Sequence, residues 1–141
     1  MEELLVRARR AVLATIALDG TPRLVPIAFA FADGVLYSAL DDKAKTVSDP
    51  HDLARVRDIV ARPAVSVLVD HWDEDWTQLA WLRLVGRASL LESGVDEHSM
   101  AVELLRERYP QYASHRLEDR PIIRVAVERT VEWSANAGRA L

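Results

Sequence analysis

Two Asp-Gly dipeptides, Asp19-Gly20 and Asp33-Gly34, each close an apolar run, and this constrains the early chain more than any other feature. Asp-Gly is favoured in tight hairpin turns because both central residues tolerate positive φ. Before the first turn, Val12, Ala14, Ile16 and Leu18 alternate with other residues, the period of a strand. A second run, Leu24 to Phe31, leads to the second turn, and a third extends from Val35 to Leu40. The pattern predicts an antiparallel meander. Pro26 interrupts the second run and marks an edge, a bulge or a backbone facing something else, since proline donates nothing to a sheet ladder.

Elsewhere the period changes. Glu2 to Arg10 carries Leu4, Leu5 and Ala8 on one side of a short helix that would brace the strands after it. Pro50, capped by Ser48 or Asp49, opens a helix with Leu53, Val56, Ile59 and Val60 at helical spacing, ending near Arg62 before Pro63. Ala64 to Asp70 alternates again, and a long strand from about Gln78 to Leu91 comes after an acidic loop, with Gly86 marking a bend or bulge. A helix from Asp96 to Tyr109 stops at Pro110, and Pro121 to Trp133 reads as the last strand. About six strands in hairpin order with two or three inserted helices predict a mainly β (α+β) fold, a closed or nearly closed antiparallel barrel. At 141 residues the chain has the size of one domain, with a short tail after the last strand, residues 134–141.

Composition narrows the chemistry. With no cysteine, disulfides, thiolate nucleophiles and iron–sulfur clusters are excluded, so redox chemistry here would need a bound cofactor. A net charge of −4 argues against a nucleic-acid surface, which needs a basic face to displace counterions. No apolar run reaches the roughly 18 to 20 residues of a membrane span, and charged residues in Met1 to Arg10 are unlike a signal peptide, so a cytoplasmic protein is expected.

Sixteen arginines are scattered over the chain, while its two lysines, Lys43 and Lys45, share one polar loop between a strand and a helix. Two compact cations there suit a phosphate, and Arg55, Arg57 and the positive end of the helix would reinforce them; a solvated loop is the alternative. The stretch Asp70 to Trp76 combines His71 with four carboxylates, but its spacing fits no zinc or calcium pattern, and no metal site is expected. His51, His98 and His115 stand alone and are read as surface residues. Nucleophile-elbow and phosphate-loop motifs are absent. Trp72, Trp76 and Trp81 gather around the acidic loop and Trp133 ends the last strand. Such rings wall a planar ligand, centre a subunit interface or fill a core, and for Trp81 the core reading leads.

These segments, in this order, resemble a known family. Gly20-Thr21-Pro22-Arg23-Leu24-Val25-Pro26, Leu36-Tyr37-Ser38-Ala39, Lys43-Ala44-Lys45, Arg57-Asp58-Ile59 and Leu68 to Trp76 are similar to the split-barrel flavin and deazaflavin oxidoreductases related to pyridoxamine 5′-phosphate oxidase, most of all to the actinobacterial branch assigned to coenzyme F420. The similarity runs from about Arg9 to Trp133 and takes in Glu107 to Tyr112. It implies a six-stranded split barrel of the FMN-binding type that forms a homodimer, with two cofactor sites in grooves between the subunits. Carried over, the Val25-Pro26-Ile27 backbone would lie along the ring system, Ser38 and Ala39 would border it, and Lys43 and Lys45 would hold the phosphate. Arg57 and Asp58 would sit near the ribityl chain or phosphate, and Trp72, Trp76 and Trp133 of the partner chain would close the groove.

Asp58 departs from the pattern, since related sequences usually carry asparagine there. An aspartate repels an anionic cofactor unless a cation such as Arg55 or Arg57 neutralises it. Thr46, Val47 and Ser48 also stand where basic residues are common. The resemblance implies hydride transfer from reduced F420 to a small electron-poor organic acceptor, with Tyr37, His71 and Arg83 as candidate proton donors. The alternatives are an FMN-dependent oxidase or reductase of the same fold, and a non-catalytic dimeric module that binds a cofactor.

Overall fold

Seven strands, not six, form the sheet, because the run Leu24 to Phe31 breaks in two. The computed structural model describes residues 1–40 and 49–136; Lys43, Lys45 and Ser48 lie outside the described residues. Helix α1 (Glu2–Arg7) precedes strands β1 (Ala11–Ile16), β2 (Pro22–Ile27), β3 (Ala30–Ala32) and β4 (Val35–Ala39). Then come α2 (Ala54–Ala61), β5 (Ala64–His71), β6 (Ala80–Leu91), α3 (Asp96–Arg108) and β7 (Ile122–Ser134). The strand order is β2-β1-β5-β6-β7-β4-β3. Every neighbouring pair is antiparallel, in a sheet curled into a half-barrel.

The early chain is therefore two separate hairpins rather than a meander, since β2 and β3 occupy opposite edges of the sheet. The break falls at Phe29, which is fully buried and whose backbone N–H donates to the Tyr109 hydroxyl at 3.0 Å instead of to a strand. That hydroxyl in turn donates to the Arg9 carbonyl at 3.1 Å. Asp33 and Gly34 both adopt positive φ, 52° and 79°, as their hairpin requires. At the other turn only Gly20 does so, and the Asp19 carboxylate accepts from Thr21 N and Oγ1.

The buried face of β1 is Ala11, Leu13, Thr15 and then Ala17; Val12, Ala14 and Ile16 lie on the outer, half-exposed face. Leu13 joins Val65, Val67, Val69, Leu82 and Leu84 in the main core. A second cluster of Tyr37, Ala101, Leu105, Tyr109, Tyr112 and Ile122 lies under α3. Helices α1 and α3 are tied by exchanged caps: Arg9 donates to the Arg108 carbonyl at 2.7 Å, while Arg108 donates to the carbonyls of Val6 and Ala8. The helix expected from Pro50 is divided. Asp49 caps a short 3-10 turn, Pro50–Asp52, and α2 starts afresh at Ala54. No helix among the described residues is long and apolar enough to cross a membrane.

Candidate functional site

The strand period places Trp81 on the outer face of β6, directly opposite Asp70 of β5 and Trp133 of β7. Trp72, just past β5, completes an aromatic cavity of about 360 Å³ whose wall also includes Leu68, His71 and Arg83. Trp76 meets Trp72 edge to face, with ring centroids 6.5 Å apart. Trp72, Trp76 and Trp133 are 64%, 68% and 45% exposed, so they do not serve as core filling. Trp81 is half-buried and also lines the cavity, which corrects its reading as a core residue.

The acidic loop uses its carboxylates to hold itself. Glu74 accepts from Trp72 Nε1 at 2.8 Å, Asp73 from the Asp75 backbone at 2.8 Å, and Asp75 from Thr77 N and Oγ1 at 3.1 and 2.7 Å. These bonds orient Trp72 on an otherwise irregular segment.

A second, polar cavity of about 400 Å³ opens where α2 meets the β1–β2 turn, lined by Thr21, Arg23, Arg57 and Asp58 among others. Arg57 is exposed, but Asp58 is only 2% exposed. It accepts from Thr15 Oγ1 and from Arg23 Nε, both at 2.7 Å. The neutralising cation is thus Arg23 of β2, not the nearby Arg55 or Arg57 to which sequence reasoning pointed. Nothing local signals this pairing, because Thr15 and Arg23 are brought to α2 only by the sheet.

The two cavities lie toward opposite ends of β5. Ala14 pairs with Ser66, so Thr15 is level with Val65 while the tryptophan cavity begins at Leu68, three residues or roughly 10 Å further on. On β2, Pro26 is exposed, Val25 packs partly on the main core and Ile27 is buried. Ser38 and Ala39 are buried on β4. Since β3 begins at Ala30 opposite Tyr37, these two residues pair on the β7 side alone and leave their other backbone edge without a strand partner among the described residues.

Residues 1–134 match the sequence profile of pyridoxamine 5′-phosphate oxidase. The chain belongs to the pyridoxamine 5′-phosphate oxidase family. No curated protein matches its sequence. Among solved structures, it is similar to the conserved hypothetical protein Rv2991 from Mycobacterium tuberculosis, with TM-score 0.77 and 22% identity over 99% of this chain and 84% of that one. HutZ, the heme storage protein from Vibrio cholerae, gives 0.71 and 16% over 94% and 90%. An F420 reductase gives 0.63 and 23% over 92% and 94%. At these identities the likeness establishes the fold.

Within the pyridoxamine 5′-phosphate oxidase fold the remaining candidates separate. Tyr37 is buried and its hydroxyl donates to Glu97 Oε2 at 2.6 Å, where Arg124 Nε also donates at 2.7 Å. Burial and the Glu97 carboxylate push the phenol up to about 12, so Tyr37 anchors α3 to the sheet and is not a proton donor for an external ligand. His71 and Arg83 do line the tryptophan cavity. His98, expected at the surface, is buried, with Nε2 2.6 Å from the Arg120 carbonyl.

His51 has a carboxylate at each ring nitrogen, Asp49 at 2.8 Å from Nδ1 and Glu92 at 2.7 Å from Nε2. Only the imidazolium donates to both. Glu92, then Asp49, raises the His51 pKa above its ordinary value. The bridge therefore stabilises the fold fully below the unfolded-state pKa, about 6.5, and its contribution disappears as pH rises through the higher folded value. A proton-resonance titration should place His51 above an ordinary histidine, and Glu92→Gln should lower it; an unshifted His51 would show that the bridge does not persist in solution.

Proposed function

We propose that this member of the pyridoxamine 5′-phosphate oxidase family is an F420-dependent oxidoreductase, acting as a homodimer on a small electron-poor organic acceptor. The observation that carries this reading is the cavity walled by Trp72, Trp81 and Trp133, a built surface for a flat acceptor on a face that a monomer would otherwise leave wet. Reduced F420, when bound, would supply the hydride. The chain's own part is placement: stacking the acceptor on the tryptophan wall, excluding water and holding it within roughly 3 to 3.5 Å of the cofactor's ring.

Two features support a groove shared by two subunits. The outer face of β2, β1 and β5 carries Leu24, Val12 and Leu68, and Leu24 is 69% exposed. The tryptophan cavity and the Asp58 cavity also share no lining residue on one chain, and a second subunit would bring one chain's tryptophans toward the other's α2. The backbone edges at Pro26, Ser38 and Ala39 fit a ring bordered by main chain, and Lys43 and Lys45 are the proposed phosphate ligands. The F420 reductase of the same fold favours the deazaflavin, the resemblance read from the sequence keeps FMN as an alternative, and HutZ favours a non-catalytic binding module.

Titration of the purified protein with F420 and separately with FMN, followed by tryptophan fluorescence, tests the reading. F420 should bind in roughly the micromolar range, with FMN weaker, and Lys43→Ala/Lys45→Ala should weaken binding without changing the unfolding temperature. Preference for FMN would move the protein to the flavin branch. Binding of neither would mean that the barrel persists here without a flavin.

A further inference from the structure

We propose that the tryptophan cavity takes a flat, conjugated ligand carrying one carboxylate, with that carboxylate seated on Arg83. The proposal deepens the oxidoreductase reading by naming the class of acceptor, and it rests on that reading only in calling the ligand an acceptor. Its basis is a pair of uncommitted charges in an aromatic wall. Arg83, like Arg87 and Arg129, has no ion pair or hydrogen bond among the described residues, but of these three it alone lines the cavity. Its guanidinium instead lies 5.8 Å from the centre of the Trp81 ring. Across the ladder its neighbours are Leu68 and Val131, and the acid nearest to it in the register is Asp70, placed diagonally on the same face.

A planar guanidinium beside an indole, with aliphatic side chains on both flanks, suits a carboxylate that arrives attached to an aromatic plane. The ring stacks and the fork pairs the acid in two parallel hydrogen bonds. Asp70 supplies the other half of the selection. It lines the same cavity, and its side chain too has no hydrogen bond or ion pair among the described residues, while Asp73, Glu74 and Asp75 are engaged in holding the loop. A carboxylate so placed on that wall repels a second negative charge on the ligand and accepts from an N–H or O–H. The combination selects a monoacid with a hydrogen-bond donor at some distance from the acid. The volume of about 360 Å³ suits one fused ring system.

Isothermal titration of the full chain without cofactor, using a hydroxynaphthoate and its neutral carboxamide as probes, tests this. The acid should bind about tenfold more tightly than the amide. Arg83→Gln should remove that preference by weakening the acid alone, Arg83→Lys should restore part of it, and both variants should unfold at the wild-type temperature. Equal affinities for acid and amide, no binding of either, or an equal loss of both on Arg83→Gln would overturn the proposal. F420 titrations of the same proteins separate the two readings: wild-type protein that discriminates the acid but does not bind F420 would remove the cofactor assignment and keep the pocket's, and the reverse result would do the opposite.

Discussion

Gly86→Ala should lower the stability of the protein by about 3 kcal/mol and its unfolding temperature by about 10 °C, the largest effect expected of a single added methyl group here. Gly86 sits at the register shift between β6 and β7, the longest ladder in the sheet. A Cβ built on it would overlap the backbone carbonyl oxygen of Ala126 and lie 2.9 Å from the carbonyl carbon. Those atoms belong to β7 and cannot rotate away as a side chain would. The bulge must open or the strands must part, at the cost of ladder hydrogen bonds. Urea unfolding should show a lower midpoint with an unchanged slope, the sign of lost stability without a changed extent of unfolding. A loss below about 1 kcal/mol would mean that the strands yield at this point more easily than close packing allows.

The second large effect is expected at Asp58. Asp58→Ala leaves the buried Thr15 hydroxyl without its acceptor and Arg23 without its counter-charge. Removing one partner of a fully buried pair costs about 3 to 5 kcal/mol, but Arg23 is 42% exposed and can turn toward water, so a loss of about 2 kcal/mol is expected. Asp58→Asn keeps an acceptor for Thr15 and should lose only about half as much. The pair of variants also separates structure from binding. Because Arg23 already neutralises Asp58, Asp58→Asn should change F420 affinity by less than about threefold; a much larger gain would show that the aspartate acts on the ligand as an unscreened charge.

How much can be read along the chain differs from residue to residue. Val65, Val67 and Val69 alternate because strands do, and their burial follows from the period alone. The turn at Asp33-Gly34, the bulge at Gly86 and the stop of α3 before Pro110 are properties of backbone chemistry at single positions, and they stand where the residues predict them. His98 is a mixed case. It shares a face of α3 with the buried Ala101, Val102 and Leu105, so its burial was open to a helical-period reading, but its polar partner, the Arg120 carbonyl, reaches the helix only in the folded chain.

Strand count failed at Phe29, where an apolar run without glycine reads as one strand. The Tyr109 hydroxyl, 80 residues away, takes the backbone N–H that would have continued the ladder. Which face of β1 turns inward was equally closed to a one-dimensional reading, since both faces carry small or aliphatic residues. Trp72, Trp76 and Trp133 stood out as a cluster of candidates, but the union of Trp72 and Trp133 with Trp81, Asp70 and Arg83 in one wall depends on the register of β5, β6 and β7.

The mainly β class, the positions of most strands and helices, the exclusion of cysteine chemistry and the family were all legible in the order of residues, because they follow from local period, turn chemistry and residue type. The seventh strand, the Thr15–Asp58–Arg23 network, the removal of Tyr37 from the donor candidates and the composition of the aromatic wall were not. Each of these depends on contacts between residues far apart in the chain, and such contacts exist only once the sheet has closed its register.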